Sequence, residues 1–111
     1  MHKQRDLLPG TLEMLILHTL RGGPLHGYAI SQSIRETSED VLKIEEGSLY
    51  PALQRLLREG WVAAEWGTSQ RNRQVRKYRL TPAGRKQLQR EIAGYERLIG
   101  GIARVIRPVE S

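Results

Sequence analysis

Leu12, Leu15, Ile16 and Leu20 recur at helical spacing, and Met14 and Leu17 widen the stripe they form. The pattern predicts a helix over residues 12–21 that is buried on more than one side. Before it lie a polar start at residues 1–8, closed by Leu7 and Leu8, and a turn at Pro9 and Gly10, with Thr11 placed to cap the helix. Gly22-Gly23-Pro24 stops it. A second helix is expected from His26 or Gly27 to residue 37, with Tyr28, Ile30 and Ile34 as its inner face. Residues 38–45 are too short for another helix, and one or two of Val41, Leu42 and Ile44 are expected to pair as a minor strand.

The third helix, over residues 46–59, separates cleanly at 100° per residue. Leu49, Leu53 and Leu56 form a narrow apolar stripe ending at Gly60, with Leu57 at its edge. Ser48, Tyr50, Pro51, Gln54, Arg55 and Arg58 fall on the other side. Pro51 is expected within the first turn or so, where proline is tolerated, and Gly60 ends the helix. Two strands follow, over 61–66 and 75–80, with Tyr78 and Leu80 on one face. Trp61 and Trp66 read as core and sheet packing. Thr81 and Pro82 then open a last helix.

Along that last helix Leu88, Ile92, Tyr95, Ile99, Ile102 and Ile106 are spaced 4, 3, 4, 3, 4, the seam of a coiled coil. Leu98 and Val105 broaden the seam. A helix projecting beyond a small domain has nothing in its own chain to cover such a stripe, so a subunit interface is expected there. Gly94, Gly100 and Gly101 weaken the helix by roughly 1 kcal/mol each relative to alanine, and the glycine pair is a place where it could kink or end.

Composition narrows the function. A chain of 111 residues is one domain by length. It has no cysteine, which excludes disulfides and thiolate metal sites. No stretch approaches the roughly 18–20 apolar residues of a membrane span, and the N-terminus lacks the apolar run of a secretion signal, so a cytoplasmic protein is expected. The net charge is +6. Between Glu65 and Glu91 no acidic residue occurs, while Arg71, Arg73, Arg76, Lys77, Arg79, Arg85, Lys86 and Arg90 all do. One-signed clustering of this kind favours a polyanionic partner.

Catalysis finds no support. His2, His18 and His26 have no metal-ligand spacing, and no Ser-His-Asp or paired-carboxylate constellation is visible. Glu45 and Glu46 suit the positive end of a helix, and His26 suits the turn into the second helix. Neither glycine pair follows a strand and opens a helix as a phosphate loop must. No enzyme, metal or cofactor is expected.

Duplex DNA explains more. A helix followed at once by a hairpin with a basic tip is the pattern of a winged helix, in which the helix enters a major groove and the hairpin grips backbone. Ser48, Gln54 and Arg55 carry groups able to meet base edges. Tyr50 can offer its hydroxyl to a phosphate, or pack its ring under the helix with only the hydroxyl outside. Arg71 and Arg73 suit phosphates or a narrow minor groove, and Arg76 and Lys77 lie further down the wing, where one of them is placed to point to backbone.

Three blocks carry a resemblance to a known family. They are Pro24-Leu25-His26-Gly27-Tyr28, Gly47-Ser48-Leu49-Tyr50-Pro51-Ala52-Leu53, and Arg76-Lys77-Tyr78-Arg79-Leu80-Thr81-Pro82-Ala83-Gly84. In this order and spacing the chain resembles the PadR family of bacterial transcriptional regulators over roughly residues 7–90. The resemblance implies a mainly α fold with a small β-hairpin (α+β): a winged helix-turn-helix over residues 1–81 and a C-terminal dimerisation helix and tail over 82–111. It implies a homodimeric repressor on a two-fold operator, with Ser48, Tyr50 and Arg55 and the wing residues Arg71, Arg73 and Lys77 at the DNA. The stripe from Leu88 to Ile106 is implied to form the dimer. Many relatives have a longer C-terminal part. Some short ones take planar aromatic compounds between subunits, whereas this last helix offers only Tyr95 as an aromatic, which leaves an effector unassigned. A protein-interaction adaptor and a non-specific nucleic-acid-binding module are the alternatives, and the charge of Arg71 to Arg79 weighs against the first.

Overall fold

The computed structural model describes residues 10–68 and 70–107; the polar start at 1–8, Pro9 of the expected turn and Ser69 of the hairpin lie outside them. Helix α1 (Thr11–Thr19) runs into a 3-10 turn at Leu20–Gly22. Strand β1 (Leu25–His26), helices α2 (Gly27–Thr37) and α3 (Glu46–Arg58), strands β2 (Val62–Thr68) and β3 (Gln74–Leu80) and helix α4 (Pro82–Ile106) follow. Gly10, not Thr11, is the N-cap of α1: its φ of +84° is open to glycine, and its carbonyl accepts the Met14 N–H at 3.0 Å. At the start of α2, His26 is the N-cap, its Nδ1 accepting from the Ala29 N–H at 3.2 Å.

The sheet is antiparallel with order β1-β3-β2. Leu25 stands opposite Tyr78, and the hairpin pairs Val62 with Leu80 through to Thr68 with Gln74. The minor strand therefore comes from the residues just before α2 and not from 38–45. After α2 the chain turns through Glu39 and Asp40, both left-handed at φ 55° and 68°. Leu42 and Ile44 pack against the core from this loop, and Val41 is exposed.

Ile16, Leu17 and Leu20 meet Ile30 and Ile34 of α2, Leu49, Ala52, Leu53 and Leu56 of α3, and Val62 and Tyr78 of the sheet in one core. Tyr28 is excluded from it. Gly27, Ile30 and Ile34 define the buried stripe of α2, and Tyr28 stands to one side, exposed and stacked on the His26 ring at 6.4 Å. Pro51 is the sixth residue of α3, deeper than its first turn, so no N–H at that position bonds the Gly47 carbonyl. Gly60, at φ 74°, ends α3: its N–H bonds the Leu57 carbonyl and the Trp61 N–H bonds that of Leu56, both at 3.1 Å. Thr81 ties this turn to α4, because its hydroxyl donates to the Gly60 carbonyl at 2.7 Å and accepts the Gly84 N–H at 3.0 Å.

Helix α4 is continuous through Gly94, Gly100 and Gly101. Its first turns pack on α1. Leu88, expected at a subunit seam, is 4% exposed in its own chain's core, and Ile92 lies partly buried against that core. The apolar surface left open begins with Tyr95.

Candidate nucleic-acid interface

Helix α3 presents Ser48, Pro51, Gln54 and Arg58 to solvent from the side opposite Leu49, Ala52, Leu53 and Leu56. Arg55 is half-exposed but engaged. Its Nε and Nη2 both donate to Oε1 of Glu13, a carboxylate on α1 whose side chain is only 13% exposed. Tyr50 lies at the other margin of the helix, its ring against Gly27, where a Cβ would stand 2.8 Å from the phenol oxygen. Burial, then the Glu46 carboxylate, then Tyr78 push the Tyr50 phenol above its ordinary value. Tyr50 thus joins α3 to the start of α2, with its ring packed and part of it still open.

The hairpin divides its charges between two faces. Alternation along β3 sends Lys77 and Arg79 to one face and Arg76 and Tyr78 to the other. Lys77 lays its methylenes over Gly67, and Arg79 pairs with Glu65 at 3.3 Å. The other face is the core face. Tyr78 is buried there, and the Arg76 guanidinium carbon sits 5.8 Å from the centre of its ring. Trp66, directly opposite Arg76 in the ladder, shares this face and is 71% exposed, contrary to its reading as sheet packing. Gln70, Arg71, Asn72 and Arg73 at the tip are exposed, and Asn72 takes the left-handed turn position at φ 60°.

The structure therefore places Ser48 and Gln54 together on α3, Tyr50 beside them at the junction with α2, and Arg71 and Arg73 at the wing tip. Arg55 is drawn towards α1, and Lys77 is turned to the face away from Tyr78. Arg58, Arg76 and Trp66 were not among the residues assigned to the site from sequence. A signal for Trp66 was present: it stands four positions beyond the buried Val62, about 13 Å further along the strand at about 3.3 Å per residue.

Beyond Ile92, the α4 residues Tyr95, Leu98, Ile99, Ile102, Val105 and Ile106 are all exposed. A cleft of about 310 Å³ opens between Thr11 and Met14 of α1 and Glu91, Tyr95 and Leu98 of α4. Oε1 of Glu91 accepts from Gln87 at 3.2 Å, and Oε2 is buried with no partner among the described residues. Burial raises the Glu91 carboxyl above its ordinary value, the Gln87 hydrogen bond opposes the rise, and the charge of Glu13 adds to it. Among the described residues no cluster of His, Asp and Glu is suited to hold a metal ion, and no helix is long and apolar enough to cross a membrane.

Residues 16–90 match the model of the transcriptional regulator PadR-like family. The chain is 32% identical over 94 residues to transcriptional regulator Rv3488 of Mycobacterium tuberculosis, covering 85% of this chain and 84% of that one. It is 42% identical over 90 residues to an uncharacterized 37.1 kDa protein in transposon TN4556 of Streptomyces fradiae; the match covers 81% of this chain and 24% of that protein, so the chain spans about a quarter of its length. Among solved structures, a transcriptional regulator from Clostridium thermocellum superposes with a TM-score of 0.84 at 28% identity, covering 93% of this chain and all of that one. A PadR family regulator from Eggerthella lenta gives 0.76 at 32% identity, covering 90% and 85%. The winged-helix architecture, the basic hairpin and these matches agree: the chain belongs to the PadR-like family of transcriptional regulators.

Proposed function

We propose that the protein is a homodimeric repressor that binds an inverted-repeat operator in duplex DNA through α3 and the wing, and that it acts in the cytoplasm. The observation that carries this reading is the packing of α3, with its face from Ser48 to Arg58 exposed, against β2, the first strand of a hairpin tipped by Arg71 and Arg73. A helix of this width fits a major groove, and cationic side chains beside it suit the flanking phosphates. Ser48 and Gln54 meet base edges; Tyr50 offers its hydroxyl to the backbone; Arg71, Arg73 and Lys77 supply charge. Arg55 joins them when it exchanges Glu13 for DNA.

The exposed stripe of Tyr95, Ile99, Ile102 and Ile106 supports dimerisation through α4. In this reading residues 1–81 and the first turns of α4 form the DNA-binding unit, and the rest of α4 forms the dimer. Two such units related by a two-fold axis match a palindromic duplex. Selection of bound duplexes from random DNA tests the proposal: it should return an inverted repeat with half-sites about one helical turn apart, or a multiple of it. Recovery of unrelated sequences at equal affinity would favour the non-specific nucleic-acid module instead.

A further inference from the structure

Trp66 is the largest side chain on the surface that nothing in the fold explains. A tryptophan carries a large apolar ring and one N–H donor, and it is normally buried on the ring side. Here it is 71% exposed, on an edge strand, in a segment with no acidic residue from position 66 to position 90. Its position is fixed by the ladder: Trp66 stands opposite Arg76, and both look out from the face that further down the hairpin holds Tyr78 and Val62 in the core. The path from helix to wing is continuous on this side. Tyr50 of α3 lies near enough to Tyr78 for it to add to the rise of the Tyr50 phenol, after burial and Glu46, and the Arg76 guanidinium lies over the Tyr78 ring. Trp66 and Arg76 come next, and Thr68 and Gln74 lead on to the tip.

We propose that Trp66 and Arg76 form a contact site for the sugar-phosphate backbone of duplex DNA, between the groove read by α3 and the wing tip. The inference rests on the DNA-binding reading above and adds to it a site outside the tip arginines. A backbone strand offers two chemistries in alternation, an apolar deoxyribose and an anionic phosphate. The Trp66–Arg76 pair offers their complements side by side, an indole for the sugar and a guanidinium for the phosphate. Tyr78 holds the Arg76 head by its ring and leaves the charge exposed, which limits the freedom lost on binding. Lys77 and Arg79, on the opposite face, have neighbours of their own in Gly67 and Glu65 and do not share this track. Protein partners would also bury an exposed indole, but a track that carries the Arg76 guanidinium and leads to a tip bearing Arg71 and Arg73 fits a polyanion.

Two measurements on the full chain test the site, using a mixed-sequence duplex, since the contact is to backbone and not to bases. The first is acrylamide quenching of tryptophan fluorescence. The protein has two tryptophans, and Trp61 is half-buried, so a Trp66→Phe variant supplies the Trp61 background. Saturating duplex should shield the Trp66 component in the wild type and leave the variant's quenching unchanged. The second is duplex affinity across a salt series. Trp66→Ala should weaken binding on the order of tenfold with an unchanged salt slope, because an apolar contact releases no counterions. Arg76→Gln should flatten the slope by about one unit. If the wild type binds duplex while Trp66 stays fully quenchable and Trp66→Ala binds normally, the site is overturned and the α3 reading stands. If the wild type binds no duplex at low salt, both fall.

Discussion

Arg55 of α3 donates two hydrogen bonds to one carboxylate oxygen of Glu13 on α1, so a half-exposed side chain of one helix is anchored to another. The Glu13 side chain is mostly buried, and Arg55 is half-exposed. Arg55→Ala should therefore cost stability, about 1–3 kcal/mol, because it leaves a mostly buried carboxylate without its donor. Glu13→Gln should do the opposite to binding. It releases Arg55 and removes a negative charge near the duplex, so affinity should rise while the melting temperature falls slightly. Thermal melts and duplex titrations of the two variants check both signs; equal affinity of Glu13→Gln and wild type would show that Arg55 takes no part in DNA contact.

Two glycines should respond oppositely to alanine. At Gly84 a Cβ would collide with the Trp61 backbone carbonyl and press on Leu80, so Gly84→Ala should destabilise the fold by about 1–3 kcal/mol despite its better helix propensity. At Gly47 in α3 a Cβ meets nothing, so Gly47→Ala should stabilise the helix by up to about 1 kcal/mol. If the outer face of α3 enters a groove, the same methyl should weaken operator binding. A variant that melts higher and binds DNA as before would place the duplex elsewhere.

Glu91 should make stability fall with rising pH. Its carboxyl is raised in the fold above its ordinary 4.5, chiefly by burial, so the folded chain holds that proton more tightly than the unfolded one. The stability from this group is complete below about 4.5 and is lost as pH rises through the folded value. Glu91→Gln should match wild type in acid and melt higher at neutral pH. Thermal melts across this range check it, and a variant less stable than wild type at neutral pH would mean that the charged carboxylate has a partner in the assembled protein.

The stripe on α4 should hold two chains together. Light scattering should report a mass near twice 12.7 kDa. Replacing Ile99 and Ile102 together with glutamate should lower it towards one chain, because unpaired charge would be buried against the partner. A wild-type monomer at micromolar concentration would remove the basis for the two-fold operator.

Most of the fold was legible in the sequence because its signals are local. Leu49, Leu53 and Leu56 mark a helix face, Gly60 its end, and Thr81-Pro82 the next start, and each stands where the pattern indicates. The errors arose where position depends on a distant partner. Leu25 and His26 pair with β3 across more than fifty residues, and a two-residue strand has no period to read. Tyr28 looks like a core residue by type, but the stripe of Gly27, Ile30 and Ile34 leaves it outside. Within the candidate site, exposure of Ser48, Gln54 and Arg55 was legible from helical angle alone. The Glu13 partner of Arg55, 42 positions away, was not.

Duplex binding by α3 and the wing is tested most directly by one salt titration of the wild-type protein against its selected duplex. Several cationic groups per chain, Arg58, Arg71, Arg73 and Arg76 among them, lie on or beside that surface. If the dimer neutralises on the order of 6–10 phosphates, affinity should fall roughly 10³- to 10⁵-fold between about 50 and 200 mM salt. A binding constant that stays level across that range, or no binding at its lower end, would contradict the assignment of this surface to DNA.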